Sequence, residues 1–169
     1  SAAYPNSIYD KAQKNALTSE LVDGGNGLIH FDETVPFAIP KNGIEVIWNH
    51  VSRYRGGSVE RNLATLPVQR DGAFTPVKVR AQLTAPQYLG DGFNQQDDDN
   101  ILFYYTSSIK SPARLTGNVL LVHETIDQVN QPRMAWIYNA GQRRVRRAPQ
   151  IAYDAPSQAS EGLRTTDQV

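Results

Sequence analysis

The tightest constraint on the fold is a run of segments whose apolar residues recur at every second position, between about residues 74 and 147. In FTPVKVRAQL, Val77, Val79, Ala81 and Leu83 alternate with Lys78, Arg80 and Gln82, which is the pattern of a half-buried strand. NILFYYTSSI sets Ile101, Phe103 and Tyr105 on one side and Leu102 and Tyr104 on the other. Both sides are apolar or aromatic, so this strand is expected to be covered on both faces. NVLLVHETID begins the same way and turns polar at its end. RMAWIYN follows, then a short turn at Ala140 and Gly141, then RRVRR. Turn residues separate the runs, so neighbouring strands should pair as antiparallel hairpins.

Ahead of the strands the pattern is helical. PNSIYDKAQKNALTSEL, residues 5 to 21, carries a weak stripe of Ile8, Ala12 and Ala16, with Pro5 suited to a first turn. DGGNG, Asp23 to Gly27, breaks it, and TVPFAIP, with Pro36 and Pro40, predicts an extended linker. In NGIEVIWNHVSRYRGG, Ile44, Ile47, Trp48, Val51 and Tyr54 fall on one helix face. Asn42 and Glu45 make a capping-box pair, Arg53 and Arg55 suit a last turn, and Gly56 is a natural stop. These place a helix at about 43 to 55, with Trp48 facing a sheet. From residue 148 onward the chain has no period and reads as an irregular tail. The reading is α+β: one domain, with a helical part at 1–57 on one face of an antiparallel sheet at 58–148, then a tail at 149–169.

Composition narrows the function classes. Apolar content of 40% and charged content of 20% in 169 residues suit one globular domain. Lysines plus arginines number 17, as do aspartates plus glutamates, so no global field draws in nucleic acid or a membrane. Yet four arginines occupy five positions, Arg143 to Arg147. In a hairpin, Arg144 and Arg146 share one face, and Arg143, Val145 and Arg147 the other. The charge is thereby split, and a basic strand is a familiar means of blunting a sheet edge. An anionic ligand or headgroup is the next reading. Nucleic acid is expected to be no partner, since broader basic surface is missing.

The absence of cysteine excludes disulfides, thiolate metal sites and a cysteine nucleophile. No run approaches the ~18 apolar residues of a membrane helix, and SAAYPNSIYD has neither the basic nor the apolar region of a signal peptide. His30, His50 and His123 form no metal-ligand spacing. DGFNQQDDDN lacks the glycine and distal glutamate of a calcium loop, so it reads as an acidic turn. DGGNG lacks the Lys-Ser/Thr of a phosphate loop, and no G-x-S-x-G elbow is present. No enzyme activity, metal or cofactor is expected.

The stretches VPFAIPKNGIEVIWNHVSRYRGGSVER, NILFYYTSSIKSPARLTG and LLVHETIDQVNQPRMAWIYNAGQRRVRRAPQIAYDAPSQASEGLRTTDQ together resemble one bacterial family, the domain of unknown function numbered 1329. More loosely, the W-x-Y-x-x-x-x-R-R-V-R-R pair is similar to carriers of the LolA and LolB type. The resemblance implies a curved half-barrel with helices on its concave side, and an exported Gram-negative protein, periplasmic or associated with the outer membrane. It implies no catalytic residues. Family members are longer, so the chain resembles a fragment cut at both ends. Its six or seven expected strands fall short of the related half-barrel, which implies completion by another copy, another chain or the rest of the protein.

A hollow apolar face can bury an acyl chain at about 0.8 kcal/mol per methylene, and roughly ten methylenes reach the micromolar range. The expected lining is Trp48, Tyr54, Phe103, Tyr105, Leu121, Trp136 and Tyr138, unless these simply pack helix on sheet. Arg143, Arg144, Arg146 and Arg147 would meet an acidic headgroup. The resulting expectation is a non-enzymatic carrier of a lipid, lipoprotein or other hydrophobic ligand in envelope transport. The rivals are an adaptor docking onto an export system and, third, an envelope hydrolase.

Overall fold

A computed structural model describes residues 3–32, 34–86, 100–148, 154–157 and 159–165. Helix α1 spans Asn6–Thr18 and is followed by a small hairpin, β1 (Glu20–Val22) and β2 (Gly27–Ile29), joined through a 3-10 turn at Asp23–Gly25. Helix α2 spans Gly43–Ser52. Six strands follow: β3 (Ser58–Thr65), β4 (Val77–Thr84), β5 (Ile101–Ser111), β6 (Val119–Thr125), β7 (Met134–Asn139) and β8 (Arg144–Arg147). They lie in sequence order in one open sheet, with β3 and β8 at its edges. Two helices with an open antiparallel sheet make the α+β fold that the sequence pattern predicts. Contacts group the chain into two compact units, one of residues 1–58, 84–103 and 124–132, the other of 59–83, 104–123 and 133–169.

In the first unit both helices are shorter than their sequence signals. α1 stops at Thr18 because Ser19 is already extended (φ −71°, ψ 131°), and the residues expected to complete it form β1 instead. The DGGNG stretch is a hairpin turn: Asp23, Gly24 and Gly25 all take positive φ. Asn15, 1% exposed, ties α1 down. Its amide donates to the Asp32 carbonyl (2.7 Å) and its oxygen accepts from the Asp32 N–H (2.9 Å).

The start of α2 is set by its cap. The Glu45 N–H donates to Asn42 Oδ1 (3.0 Å), while the Glu45 carboxylate accepts from the Lys41 N–H (2.6 Å) and from the Asn42 amide (3.1 Å). The helix ends at Ser52 rather than near residue 55. Arg53 is extended (φ −51°, ψ 145°), and the Arg53 and Arg55 guanidiniums donate to the last carbonyls, those of His50 and Val51. The Asn49 side chain makes two bonds to the Phe37 backbone (2.9 and 2.7 Å), which clips the expected proline-rich linker along the helix.

In the second unit, β6 and β7 pair with Leu121 opposite Trp136, and β7 and β8 with Trp136 opposite Arg147 and Ile137 opposite Arg146. Strand β8 begins one residue later than the sequence suggests. The turn takes residues 140–143, with Arg143 at φ +51°, so Arg143 belongs to no strand face. Arg144 and Arg146 do share a face, and Arg147 the other, as alternation predicts. Strand β3 had no sequence signal. It is an edge strand with six of its eight residues exposed, and a Glu60–Arg80 pair (2.7 Å) crosses from it to β4. Within the expected tail, residues 156 and 165 form a β-bridge, and Glu161 pairs with Arg114 and accepts from the Gln69 amide (3.2 Å). The acidic stretch at 91–99 lies outside the described residues.

Candidate functional site: a groove beside the second helix

Ile44, Ile47, Trp48 and Val51 recur at helical spacing, and in the interior of a large domain such a stripe would be buried. Here it lines an open groove of about 350 Å³. Ile44 is 46% exposed and Ile47 61%. The groove is also lined by Leu102 at the start of β5, Glu124 and Thr125 at the end of β6, and Gln128 just beyond. The turn residues Gly25 and Asn26 complete the lining with Gly43. The indole N–H of Trp48 donates to the Gly25 carbonyl (2.9 Å), which fixes the ring against that turn. Position 25 tolerates only glycine comfortably: φ is +96°, and a Cβ would come within 2.8 Å of Ile44 Cγ2.

Exposure falls steeply from rim to base. Leu102 is 7% exposed, Glu124 6% and Thr125 1%. The groove therefore has an aliphatic mouth and a base that is partly polar. The Glu124 carboxylate accepts from the Gln128 amide (2.8 Å). The Thr125 hydroxyl is buried and has no hydrogen-bond partner among the described residues. Such a group costs about 1–3 kcal/mol relative to a satisfied one.

The loop that presents Gln128 is held by Asp127. Its carboxylate accepts from the Asn130 side chain (2.6 Å) and from the Asn130 and Val129 N–H groups (3.1 and 3.0 Å). Those bonds, the Asn130 side chain first, hold the Asp127 carboxyl below the usual aspartate range. Asn100 brackets the same loop, accepting from the Asp127 N–H (2.7 Å) and donating to its carbonyl (3.1 Å).

Of the residues the sequence nominates as lining, only Trp48 lines this groove. Tyr54 packs edge-on against Tyr4 (ring centroids 5.9 Å apart), and the Phe103 ring lies 6.0 Å from the Arg55 guanidinium. In the second unit, Trp136 packs on His123 (4.8 Å), and His123 on Tyr104 (4.7 Å). That column puts Tyr104 on the Trp136 face, with Leu121 and Tyr138. Strand alternation then puts Phe103 and Tyr105 on the other face, so the nominated residues do not share one surface.

Arg143, Arg144, Arg146 and Arg147 are all exposed, and none has a carboxylate partner among the described residues. Sequence reasoning missed Leu102, Glu124, Thr125 and Gln128 as site residues. Leu102 was legible as apolar, but the polar three carried no pattern. Among the described residues no group of three or more His, Asp or Glu could hold a metal ion, and no helix is long and apolar enough to cross a membrane.

Comparison with known proteins gives one family match, over residues 1–169, to the family described as "Protein of unknown function (DUF1329)". An uncharacterized protein of Pseudomonas aeruginosa is 52% identical over 167 residues, which is 99% of this chain. The chain spans 36% of that relative's length. No solved structure matches.

Proposed function

Because the chain belongs to the DUF1329 family, we propose its role from the groove: it is a non-enzymatic binding or carrier protein for a lipid or other hydrophobic ligand. The setting we propose is the Gram-negative envelope, periplasmic or outer-membrane-associated, with a function akin to LolA/LolB-type carriers. One observation carries the reading. The aliphatic face of α2 stays open around a hollow instead of closing into core. A volume of about 350 Å³ is at the small end of ligand sites. About ten buried methylenes would supply roughly 8 kcal/mol before ordering costs.

The test is titration with the neutral fluorescent probe N-phenyl-1-naphthylamine. Saturable micromolar binding is expected, and Ile47→Asp should abolish it. Ile47 is exposed enough that the charge leaves the fold intact. No saturable binding, or binding indifferent to Ile47→Asp, would overturn the reading. As part of the same proposal, Arg143, Arg144, Arg146 and Arg147 contact acidic headgroups; their exposure and lack of carboxylate partners among the described residues support this.

A second reading, an adaptor that docks a partner chain or another copy, draws on a different observation. Edge strand β3 and the connection after it expose Leu63, Leu66, Val68 and Phe74, each about half exposed. A protein that binds no hydrophobic probe yet self-associates, and becomes monomeric on Leu66→Asp with Phe74→Asp, would favour the adaptor.

A further inference from the structure

Strand β8 carries its charge in an arrangement that a ligand lying on one face of the sheet cannot use. Arg144 and Arg146 project to one side, Arg147 to the other with Val145, and Arg143 stands in the turn before them. All four arginines are exposed, and none has a carboxylate partner among the described residues. A ligand on either face meets only part of the cluster. A surface that approaches β8 edge-on meets all of it, because β8 is the last strand of the described sheet and long side chains from both faces reach past an open edge. Edge protection alone calls for lysine at least as readily as for arginine, and RVRR has no lysine. Arginine is the better bidentate ligand of phosphate.

We propose that β8 and the turn before it form a docking edge for an anionic phospholipid bilayer, with Val145 set among the headgroups; this rests on the headgroup contact proposed for the same arginines and assigns it to a membrane surface. Two further observations favour a bilayer. Val145 is 63% exposed, and Ile137, opposite Arg146, is 40% exposed, so aliphatic side chains stand among the guanidiniums. That mixture suits the boundary between headgroups and acyl chains, where arginine meets phosphate and the methyl groups lie below it. The charge balance supplies the orientation. The chain has 17 basic and 17 acidic residues, so four arginines at one edge leave 13 basic against 17 acidic elsewhere. The remainder is net negative and is repelled by an anionic surface, while the edge is drawn to it.

The experiment sediments the protein at low ionic strength with vesicles of phosphatidylcholine and phosphatidylglycerol in equal parts, and with vesicles of phosphatidylcholine alone. Half of the protein should sediment with the mixed vesicles at about millimolar lipid, on the rule of about 1 kcal/mol per arginine near an anionic surface, and almost none with the neutral ones. Salt at about 0.5 M should release it. Arg144→Gln with Arg146→Gln, and Arg143→Gln with Arg147→Gln, should each weaken partition by about thirtyfold. Val145→Ser should weaken it by about tenfold. An unchanged urea midpoint shows that each variant is folded. A loss confined to the first pair overturns the edge-on geometry and leaves a headgroup contact on one face. An unaffected Val145→Ser overturns the place given to Val145. Equal binding to both vesicles, or binding to neither, overturns the docking edge. Release by inorganic phosphate at constant ionic strength overturns the bilayer in favour of a free anion, and retention on poly-glutamate without vesicle binding overturns it in favour of an acidic protein partner. The groove beside α2 stands or falls by its own fluorescent probe, independently of these results.

Discussion

Thr125→Val tests the reasoning about the groove's base without any ligand. The residue is 1% exposed and its hydroxyl has no partner among the described residues. Removing one partner of a buried hydrogen bond usually costs about 1–3 kcal/mol, but here no bond is lost, and the unsatisfied group is what goes. Valine keeps the β-branched shape that suits a strand and exchanges the hydroxyl for a methyl, worth about 0.8 kcal/mol of added burial. The two effects have the same sign, so the variant should be more stable by roughly 1–2 kcal/mol. For a chain of this size that is a rise of about 2–8 °C in Tm. Urea unfolding should show a higher midpoint at an unchanged m-value, which marks a stability change and not a change in compactness. Loss of more than about 1 kcal/mol would refute the argument, because it would mean that the hydroxyl is satisfied in solution.

Asn15→Ala should act in the opposite direction. It strips both bonds from the Asp32 backbone at a buried site, and a loss of about 2–4 kcal/mol is expected by the same urea assay. Asp127 should titrate below the ordinary aspartate range in carboxyl NMR. With its folded pKa depressed, its contribution is present above the unfolded value and is lost as pH falls through the folded one. Amide exchange at Val129 and Asn130 should therefore quicken only on the acid side of that range. Arg144→Gln with Arg146→Gln should leave stability within about 0.5 kcal/mol, since both side chains are exposed and unpaired among the described residues. If the headgroup proposal holds, the same variant should sediment less with vesicles containing anionic lipid, and equally with neutral ones.

What the sequence made legible is what repeats. β4 declared itself through Val77, Val79, Ala81 and Leu83, and α2 through its cap and its stripe, because burial on one face of a regular element imposes a period. β3 stayed hidden for the converse reason. At a sheet edge, with six exposed residues of eight, nothing forces SVERNLAT to alternate. β1 was read as helix because three residues are too few to show a period, and the strand exists only through its pairing with β2.

The groove was hidden for a different reason: it depends on exposure, which a period does not report. Ile44, Ile47, Trp48 and Val51 give the same stripe whether a core closes over them or a hollow is left. Of the aromatic residues chosen from the sequence, four stand on two strand faces, Tyr54 lies beyond the end of α2, and Trp48 alone lines the groove. Nor does any local pattern link Trp48 to Thr125, which stand 77 positions apart and meet only through the fold. An unsatisfied hydroxyl is a property of that meeting. A threonine at the polar end of a strand is unremarkable in the sequence, and it becomes informative only when the surrounding residues take away its water and give it no partner in return.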